Sequence, residues 1–260
     1  LNLSLTATPQ SHYWDDPLNQ AVMQAWYYGM VVVVSAGNVG PDPMTVGVPG
    51  NNPYVITVGA IDDNGTPADW NDDHLSQSSS AGPTYEGFVK PDLLAPGGHV
   101  VGLIKSDSKL AKRLKKLVGD YYEMSGTSMS AAQVSGIVAL MLADNPSLTP
   151  DEVKYRLQNT AVPAVNEDGT LAYSIFQQGA GRVNAYQAVY SGDAIYSANQ
   201  GLDIVNDLNG VEHYQGPANM DDEGNYYLVD LDGFAGSGGF AWSGGFAWSG
   251  GFAWSGGFAW

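Results

Sequence analysis

The sequence predicts an α/β protein with a doubly wound, mostly parallel sheet. Val31–Ser35 is predicted to be a strand, because its four consecutive valines are typical of a strand buried on both faces in a parallel sheet. The preceding segment, Pro17–Met30, has the apolar spacing of a helix and follows an apolar strand segment. Such alternation of strands and helices indicates helices packed on a parallel sheet. With 260 residues, 44% of them hydrophobic, the chain can build one sizeable core and an extension.

Local signals set the boundaries of the first elements. Leu1–Leu5 is predicted to be a strand, and Tyr54–Val58 is the strand that follows the valine run. Asp15 or Asp16 is the expected N-cap of the first helix, because an aspartate before a first-turn proline can satisfy free backbone N–H groups. The helix residues expected to face the core are Ala21, Val22, Ala25 and Trp26.

A polar stretch separates these elements from the second half of the chain. Asp62–Gly65 has the composition of a turn, and the polar loop continues to Pro83. Its acidic residues lack the spacing of a calcium-binding loop, so a solvated turn is favoured over a calcium site. Three further helices are predicted: one that starts at Thr127, one from Thr149 to Leu157 and one from Val183 to Tyr190.

A basic segment precedes the helix at Thr127. Lys105–Lys116 holds six of the ten basic residues of the chain, and Leu110, Leu114 and Leu117 recur at helical spacing, so a short basic amphipathic helix is predicted. A solvated surface insertion is the favoured interpretation, because runs of charge usually face water. The alternative is a docking surface for an acidic segment, for example the acidic tail of this chain.

Ser128 is the candidate nucleophile. It lies in a loop of small residues directly before an apolar helix, where free N–H groups and the helix dipole stabilise negative charge. Taken alone, a serine at a helix start is more often an N-cap. Asn38 follows the valine strand, and ligands of α/β sheets bind at the carboxyl ends of strands. The amide of Asn38 and the backbone N–H of Ser128 could therefore hold an oxyanion; a turn residue is the alternative for Asn38.

Four sequence blocks, taken in order, carry a family resemblance. Gly126–Ser130 is similar to a Gly-Thr-Ser-Met-Ala block, Ala36–Asn38 to an Ala-Gly-Asn block, and Val55–Ala60 and Lys90–Gly97 to the segments between them. Over residues 1 to about 191 the chain thus resembles the subtilisin-like serine peptidases, or subtilases. The resemblance implies a subtilisin-like fold and peptide-bond hydrolysis by acyl transfer through Ser128.

The resemblance also implies a substrate cleft. In subtilases an extended peptide pairs with edge strands, and one of its side chains enters a cleft between two backbone segments. The matching walls are residues 4–6 and 36–38, where Thr6 replaces a glycine that is usual in the family and should narrow the cleft mouth. The residues expected to bind substrate are Ser4, Leu5, Thr6, Ala36, Gly37 and Thr127.

The family's catalytic aspartate and histidine have no counterpart here. Neither the Asp-Ser/Thr-Gly motif nor the His-Gly-Thr/Ser motif occurs in the sequence. The four histidines are predicted to be surface or loop residues: His12, His74, His99 and His213. Without a base Ser128 stays protonated, so this chain alone is expected to be inactive. We expect the C-terminal part of a catalytic domain, incomplete at its N-terminal side, with an exposed apolar sheet edge that promotes aggregation or association.

Composition limits partners and cofactors. The net charge of -17 argues against nucleic-acid binding, zero cysteines exclude disulfides, and no apolar run approaches a membrane span. The expected partners are a polypeptide substrate and an N-terminal fragment that supplies the missing Asp and His. The chemistry needs no cofactor and no metal ligand is assigned, although structural calcium with unknown ligands is left open. An extracellular location is implied by the family, while the sequence contains no signal peptide.

Three regions are expected along the chain. Residues 1–191 form the subtilase portion, residues 192–232 an acidic polar extension in which residues 226–229 are one possible strand, and residues 233–260 a low-complexity tail of SGGFAW repeats. A flexible tail is favoured for the repeats. Because a six-residue period places every Phe and Trp on one face of an extended chain, an aromatic ribbon is the alternative.

Two other functions remain open from the sequence. One is a catalytically silent fragment whose aromatic repeat serves binding or anchoring. The other is an α/β-hydrolase esterase, which requires Gly-x-Ser-x-Gly, although Ser130 occupies the last position of that pattern. The esterase is the weaker of the two, because it assigns no role to Asn38.

Overall fold

The central sheet has five strands, and the four that build its main body run parallel, as the sequence predicts. The computed structural model describes residues 1–192 and 196–229. β1 pairs with β2, β2 with β3, and β3 also with β5, while β4 pairs antiparallel with the end of β3. The strands are Asn2–Leu3 (β1), Val33–Ser35 (β2), Ile56–Asp62 (β3), His74–Leu75 (β4) and Leu93–Pro96 (β5).

Two small antiparallel sheets lie outside the central sheet. The first joins three strands in the order β6, β8, β7, and the second is a hairpin of β9 and β10, which includes most of the strand expected at 226–229. Their bounds are Val100–Leu103 (β6), Lys115–Lys116 (β7), Tyr121–Met124 (β8), Ala218–Met220 (β9) and Tyr226–Leu228 (β10).

Six α-helices occur in the described residues. α1 begins at Pro17 with Asp16 as its N-cap, whose side chain accepts from Leu18 N at 2.8 Å and Asn19 N at 3.0 Å. The helices are Pro17–Tyr27 (α1), Thr127–Asp144 (α2), Pro150–Asn159 (α3), Ile175–Gln178 (α4), Ala185–Tyr190 (α5) and Ile204–Leu208 (α6).

Several predicted boundaries are corrected by the structure. α1 ends at Tyr27 rather than Met30, because Gly29 adopts a positive φ of 86° that ends the helix. Ala21 is exposed, while Val22 and Trp26 are buried as expected and Ala25 is half-buried. The core position that the sequence analysis missed is Met23, which is fully buried.

The strand boundaries shift in the same way. β1 is confined to two residues of the expected Leu1–Leu5, and β2 omits the buried residues 31–32. β3 begins at Ile56 rather than Tyr54 and runs on to Asp62, because its second half pairs in register with all four residues of β5.

The basic segment forms a β-ribbon instead of the predicted amphipathic helix. Only one 3₁₀ turn, Ala111–Arg113, is helical, and β7 then pairs antiparallel with β8. A helix there would have no core on which to bury its leucines, since Leu110 and Leu117 remain 52% and 41% exposed. Pairing with β8 satisfies backbone groups without that burial.

The core lies between the sheet and α2, which packs on four parallel strands. Val134 and Met141 of α2 and Val32, Ile56 and Val58 of the sheet region are completely buried in one cluster. Burial of each such side chain stabilises the fold by roughly 1.5–3 kcal/mol. This packing places the first turn of α2 beside the carboxyl ends of the strands.

Three buried charged side chains, Lys90, Asp92 and Lys154, form a cluster that connects β3, the residues before β5 and α3. The carboxylate of Asp92 accepts from Lys90 Nζ at 2.6 Å and from the backbone N–H of Thr57 at 2.6 Å, and it lies 3.4 Å from Lys154 Nζ. All three charged side chains are fully buried. Burial lowers the pKa of Lys154 to about 7, against the opposing effect of the Asp92 charge. Burial likewise lowers the pKa of Lys90.

The acidic extension is anchored to the rest of the chain by a buried carboxylate. Asp207 Oδ2 accepts from the hydroxyls of Tyr13 at 2.6 Å and Tyr54 at 2.9 Å, and Asp207 Oδ1 lies 2.8 Å from His213 Nδ1. α6 packs against α1. The described residues of the extension, 196–229, therefore lie on the α/β core, and residues 233–260 with their expected repeat ribbon fall outside the described residues.

We expect stability to rise with pH above neutrality because of Lys154. Between its folded-state pKa of about 7 and its ordinary value of 10.5, the unfolded chain binds a proton that the folded chain has lost. One such proton raises the free energy of unfolding by up to about 1.4 kcal/mol per pH unit. Urea unfolding between pH 7.5 and 9.5 should give a smaller slope for Lys154→Met than for the wild type. Lys116→Met, at an exposed lysine, is the control, and equal slopes in all three proteins would contradict the prediction.

Asp207→Ala should release the extension. The change leaves two buried phenol groups without their acceptor, so we expect the free energy of unfolding to fall by about 2–4 kcal/mol. Hydrogen exchange should accelerate in residues 203–214 before the rest of the protein. Asp222→Ala, at an exposed acid of the same extension, should change neither quantity, and matching effects in the two variants would rule out the anchor.

Candidate active site

The first turn of α2 carries Ser128, whose own position excludes the capping interpretation. Gly126 is the N-cap of α2, so Ser128 is the second helical residue and its hydroxyl caps nothing. Gly126 has a φ of 140°, and a Cβ there would lie 3.2 Å from Asn38 Oδ1. The backbone conformation therefore favours glycine, and a side chain at this position would also displace the amide of Asn38 by a few tenths of an ångström.

Asn38 is fixed against the start of α2 by its side-chain oxygen. Asn38 Oδ1 accepts from the backbone N–H of Thr127 at 2.9 Å and from Thr127 Oγ1 at 3.1 Å. Because a backbone N–H can only donate, the atom it faces must be the amide oxygen. The Nδ2 group then points away from Thr127, and it has no acceptor among the described residues. Asn38 is exposed, so this donor is available to a ligand.

Ser128 is half-buried, and its backbone rather than its hydroxyl is anchored. The carbonyl oxygen of Ser128 accepts from Ser4 Oγ at 3.0 Å. Within residues 1–192 and 196–229, no hydrogen bond to Ser128 Oγ is formed. The described part of the chain thus contains a hydroxyl beside free donors but no base in contact with it.

The four histidines have other positions. Both ring nitrogens of His99 face carboxylates, with Nδ1 at 3.1 Å from Glu123 Oε1 and Nε2 at 3.4 Å from Asp62 Oδ2. His74 belongs to β4 and is exposed. Neither histidine is bonded to Ser128.

His12 and His213 form a second, separate arrangement around Trp14. Their rings stack on Trp14 at centroid distances of 4.3 and 4.6 Å. Each also faces a buried carboxylate, Glu86 for His12 and Asp207 for His213. His213 belongs to the extension, and Trp14 lies between its ring and that of His12. None of the four histidines is hydrogen-bonded to Ser128 in the described residues.

The two expected walls of the substrate cleft lie next to each other. Ser35 Oγ donates to the carbonyl of Leu5 at 3.4 Å, and a Cβ on Gly37 would lie 3.5 Å from Thr6 Oγ1. Ser4, Leu5 and Thr6 are exposed, whereas Ala36 and Gly37 are buried. Thr127 joins the second wall to residues 125–128, here called the nucleophile loop, because its hydroxyl accepts from Gly37 N at 3.3 Å.

A supporting segment was missed by the sequence analysis. Residues 78–80 run beneath the Asn38 loop: Gly40 N donates to Ser78 O at 3.0 Å, Ser80 N donates to Gly37 O at 3.0 Å, and Val39 N donates to Ser80 Oγ at 3.3 Å. The only sequence signal was a run of serines before Ala81 and Gly82, which reads as an ordinary polar loop.

The described residues contain neither a candidate metal-binding cluster nor a candidate membrane-spanning helix. No group of three or more His, Asp or Glu side chains in residues 1–192 and 196–229 is arranged to hold a metal ion. In the same part of the chain, no helix has the length and apolar character needed to cross a membrane.

The chain belongs to the subtilase family. The Peptidase_S8 family model, described as the subtilase family, matches residues 1–181. The chain is 44% identical over 191 residues to the serine protease AprX of Bacillus subtilis strain 168, covering 73% of this chain and 42% of AprX. It is 34% identical over 146 residues to subtilisin DY of Bacillus licheniformis, covering 55% of this chain and 44% of that protein.

Solved structures agree with this assignment. The prenylagaramide maturation protease PagA is similar with a TM-score of 0.54 and 25% identity, over 72% of this chain and 60% of PagA. The patellamide maturation protease PatA is similar with a TM-score of 0.52 and 28% identity, over 72% of this chain and 60% of PatA. The chain spans less than half the length of the two curated relatives named above.

Proposed function

We propose that this chain supplies the nucleophile and the oxyanion hole of a serine endopeptidase. The observation that carries the proposal is the bond from Thr127 N to Asn38 Oδ1, which ties Asn38 to the residue before Ser128 and leaves Asn38 Nδ2 without an acceptor among the described residues. Family membership over residues 1–181 supports the reaction class. On this proposal the oxygen of Ser128 attacks the scissile carbonyl of a polypeptide.

In the proposed reaction, two N–H donors of this chain stabilise the negative charge of the tetrahedral intermediate. Asn38 Nδ2 and the backbone N–H of Ser128 donate to the oxyanion of the tetrahedral intermediate. Because Ser128 is the second residue of an 18-residue helix, its N–H is one of the free N–H groups at the positive end of the helix dipole. Collapse of the intermediate expels the amine and leaves an acyl group on Ser128, which water then removes.

The general base is proposed to come from outside this sequence. We propose that an N-terminal segment supplies the aspartate and histidine of the triad, and that this chain alone is inactive. The side of β1 that faces away from β2 is unpaired in the described residues, and the flanking Leu1 and Leu5 are 53% and 46% exposed. Such an edge is suited to pairing with a further strand. Association or aggregation of the isolated chain stays a prediction.

The remaining expectations belong to the same proposal. Residues 4–6 and 36–37 with Thr127 are proposed to bind substrate, and the protein is proposed to act outside the cell, as the family resemblance implies. Residues 192–232 and 233–260 are proposed to be an acidic extension and a repeat tail. Structural calcium remains a proposal without assigned ligands.

A catalytically silent fragment is the second candidate. It is favoured by one observation, that Ser128 Oγ contacts no base in the described residues. An α/β-hydrolase esterase is disfavoured because Ser130 replaces the required glycine. Its hydroxyl is also tied to β5, donating to the Ala95 carbonyl at 2.9 Å.

Labelling with a fluorophosphonate distinguishes these candidates. We expect Ser128 to be labelled only when a polypeptide carrying a subtilase Asp-Ser/Thr-Gly and His-Gly-Thr/Ser segment is added, because the base must remove the proton of Ser128. Mass spectrometry of the labelled peptide is the measurement, and Ser128→Ala is the control for site identity. Labelling without the added segment would favour the esterase, and a chain that binds the segment yet stays unlabelled would favour the silent fragment.

A further inference from the structure

We propose that the basic ribbon, residues 100–124 with strands β6, β8 and β7, is a docking surface for an acidic, extended segment of the polypeptide substrate. The proposal rests on the peptidase function above and adds the class of substrate. Three observations support the proposal: the ribbon has exposed basic side chains without acidic partners, it has an exposed apolar face, and it is hydrogen-bonded to the nucleophile loop.

Two of the four basic residues outside the ribbon are unavailable because they are buried. Lys90 and Lys154 share the carboxylate of Asp92 inside the core. Lys154 Nζ also donates to the carbonyls of Pro53 at 2.6 Å and Tyr54 at 3.1 Å. Neither ammonium group can meet a partner of the folded protein.

The two remaining arginines are engaged by other groups of the chain. Arg182 is paired with Asp73 and lies over the ring of Trp70, 4.2 Å from its centroid. Arg156 donates to the carbonyl oxygen of Ser191. The cations left for an external anion are therefore those of the ribbon.

Three ribbon cations face solvent without an acidic partner. Lys109, Lys112 and Arg113 are exposed, and no ion pair involves them in the described part of the chain. Lys105 has only Asp107 at 3.1 Å, and both of these side chains are largely exposed. In a chain of net charge -17, this local excess of positive charge selects acidic ligands.

The ribbon also presents an apolar face. Val101 and Leu103 of β6 are 51% and 70% exposed, and Tyr121, which lies opposite Leu103 on β8, is 48% exposed. The outer edge of β6 pairs with nothing among the described residues. An extended peptide added along this edge would place alternate side chains on the same face as Val101 and Leu103.

The position of the ribbon connects it to the proposed active site. β6 starts and β8 ends at the nucleophile loop, where Gly126 N donates to Gly97 O at 2.8 Å and His99 N donates to Ser125 Oγ at 2.9 Å. From residue 99 to residue 105 an extended strand covers roughly 20 Å. Lys105 thus lies about six residues along the ribbon from the nucleophile loop, and the segment that carries Lys109, Lys112 and Arg113 follows it directly in the chain.

The acidic extension of this chain is held elsewhere. Its described residues, 196–229, bond to Tyr13, Tyr54 and Glu86, and no hydrogen bond or ion pair joins them to the described side chains of the ribbon. This placement favours an external acidic segment over the chain's own extension.

Binding of two labelled dodecapeptides tests the proposal without requiring turnover. One peptide has four glutamates separated by valine and glycine, and the other has glutamines in their place. By fluorescence anisotropy at low salt, the full chain should bind the glutamate peptide about tenfold more tightly, since three exposed ion pairs form. The preference should disappear in Lys109→Gln/Lys112→Gln/Arg113→Gln.

A variant of equal net charge separates local from global electrostatics. The variant Gln24→Glu/Gln187→Glu/Gln200→Glu adds three negative charges at exposed glutamines, so its net charge changes from -17 to -20 (-17 - 3), as it does in the Lys/Arg triple variant. This control should keep the preference for the glutamate peptide. Val101→Thr/Leu103→Thr should weaken binding of both peptides alike. Equal binding of the two peptides to the wild type, or an equal loss of preference in both triple variants, would overturn the proposal. Because labelling of Ser128 is scored separately, failure of docking and failure of peptidase function remain distinguishable.

Discussion

The hydrogen bond from Thr127 N to Asn38 Oδ1 joins the two parts on which the proposed site depends. One part is the loop after β2, and the other is the first turn of α2. The core brings them together, because α2 packs across the parallel strands and its N-terminus ends beside their carboxyl ends. The bond orients the amide, with its oxygen toward Thr127 N and its Nδ2 group without an acceptor among the described residues. The proposed oxyanion hole depends on this orientation.

Charge is distributed in a way that supports this arrangement. Two of the basic side chains, Lys90 and Lys154, are buried around Asp92, and the buried carboxylate of Asp207 fastens the extension to the hydroxyls of Tyr13 and Tyr54. Each of these groups would be costly if it were left unpaired in the interior. With those two side chains buried, the exposed basic residues are concentrated in the ribbon, residues 100–124, which follows β5 and leads back to the nucleophile loop.

The predictable parts of the fold were those with strong local signals. The valine run, the cap at Asp16 and the apolar helix after Thr127 specify buried strands and helices by composition and periodicity alone. The basic segment was wrongly predicted as a helix, because Leu110, Leu114 and Leu117 have helical spacing while the tertiary structure offers them no core. Long-range pairing of β7 with β8 decided its conformation, and no local signal carries that information.

The site was predictable to a similar degree. Ser128 and Asn38 stand in sequence blocks that identify them, but the orientation of the amide depends on Thr127, and the support from residues 78–80 depends on packing between distant segments. The anchoring of the extension by Asp207 was equally invisible, because its partners Tyr13 and Tyr54 are far away in sequence. Such contacts are set by the fold rather than by neighbouring residues.

The most direct test of the account is a crystal structure of the chain, complemented by the missing Asp and His segment, with a phosphonate bonded to Ser128 Oγ. The account predicts that one phosphonyl oxygen lies about 2.7–3.1 Å from both Asn38 Nδ2 and the backbone nitrogen of Ser128. A phosphonyl oxygen directed away from Asn38, with the amide oxygen still bonded to Thr127, would contradict it.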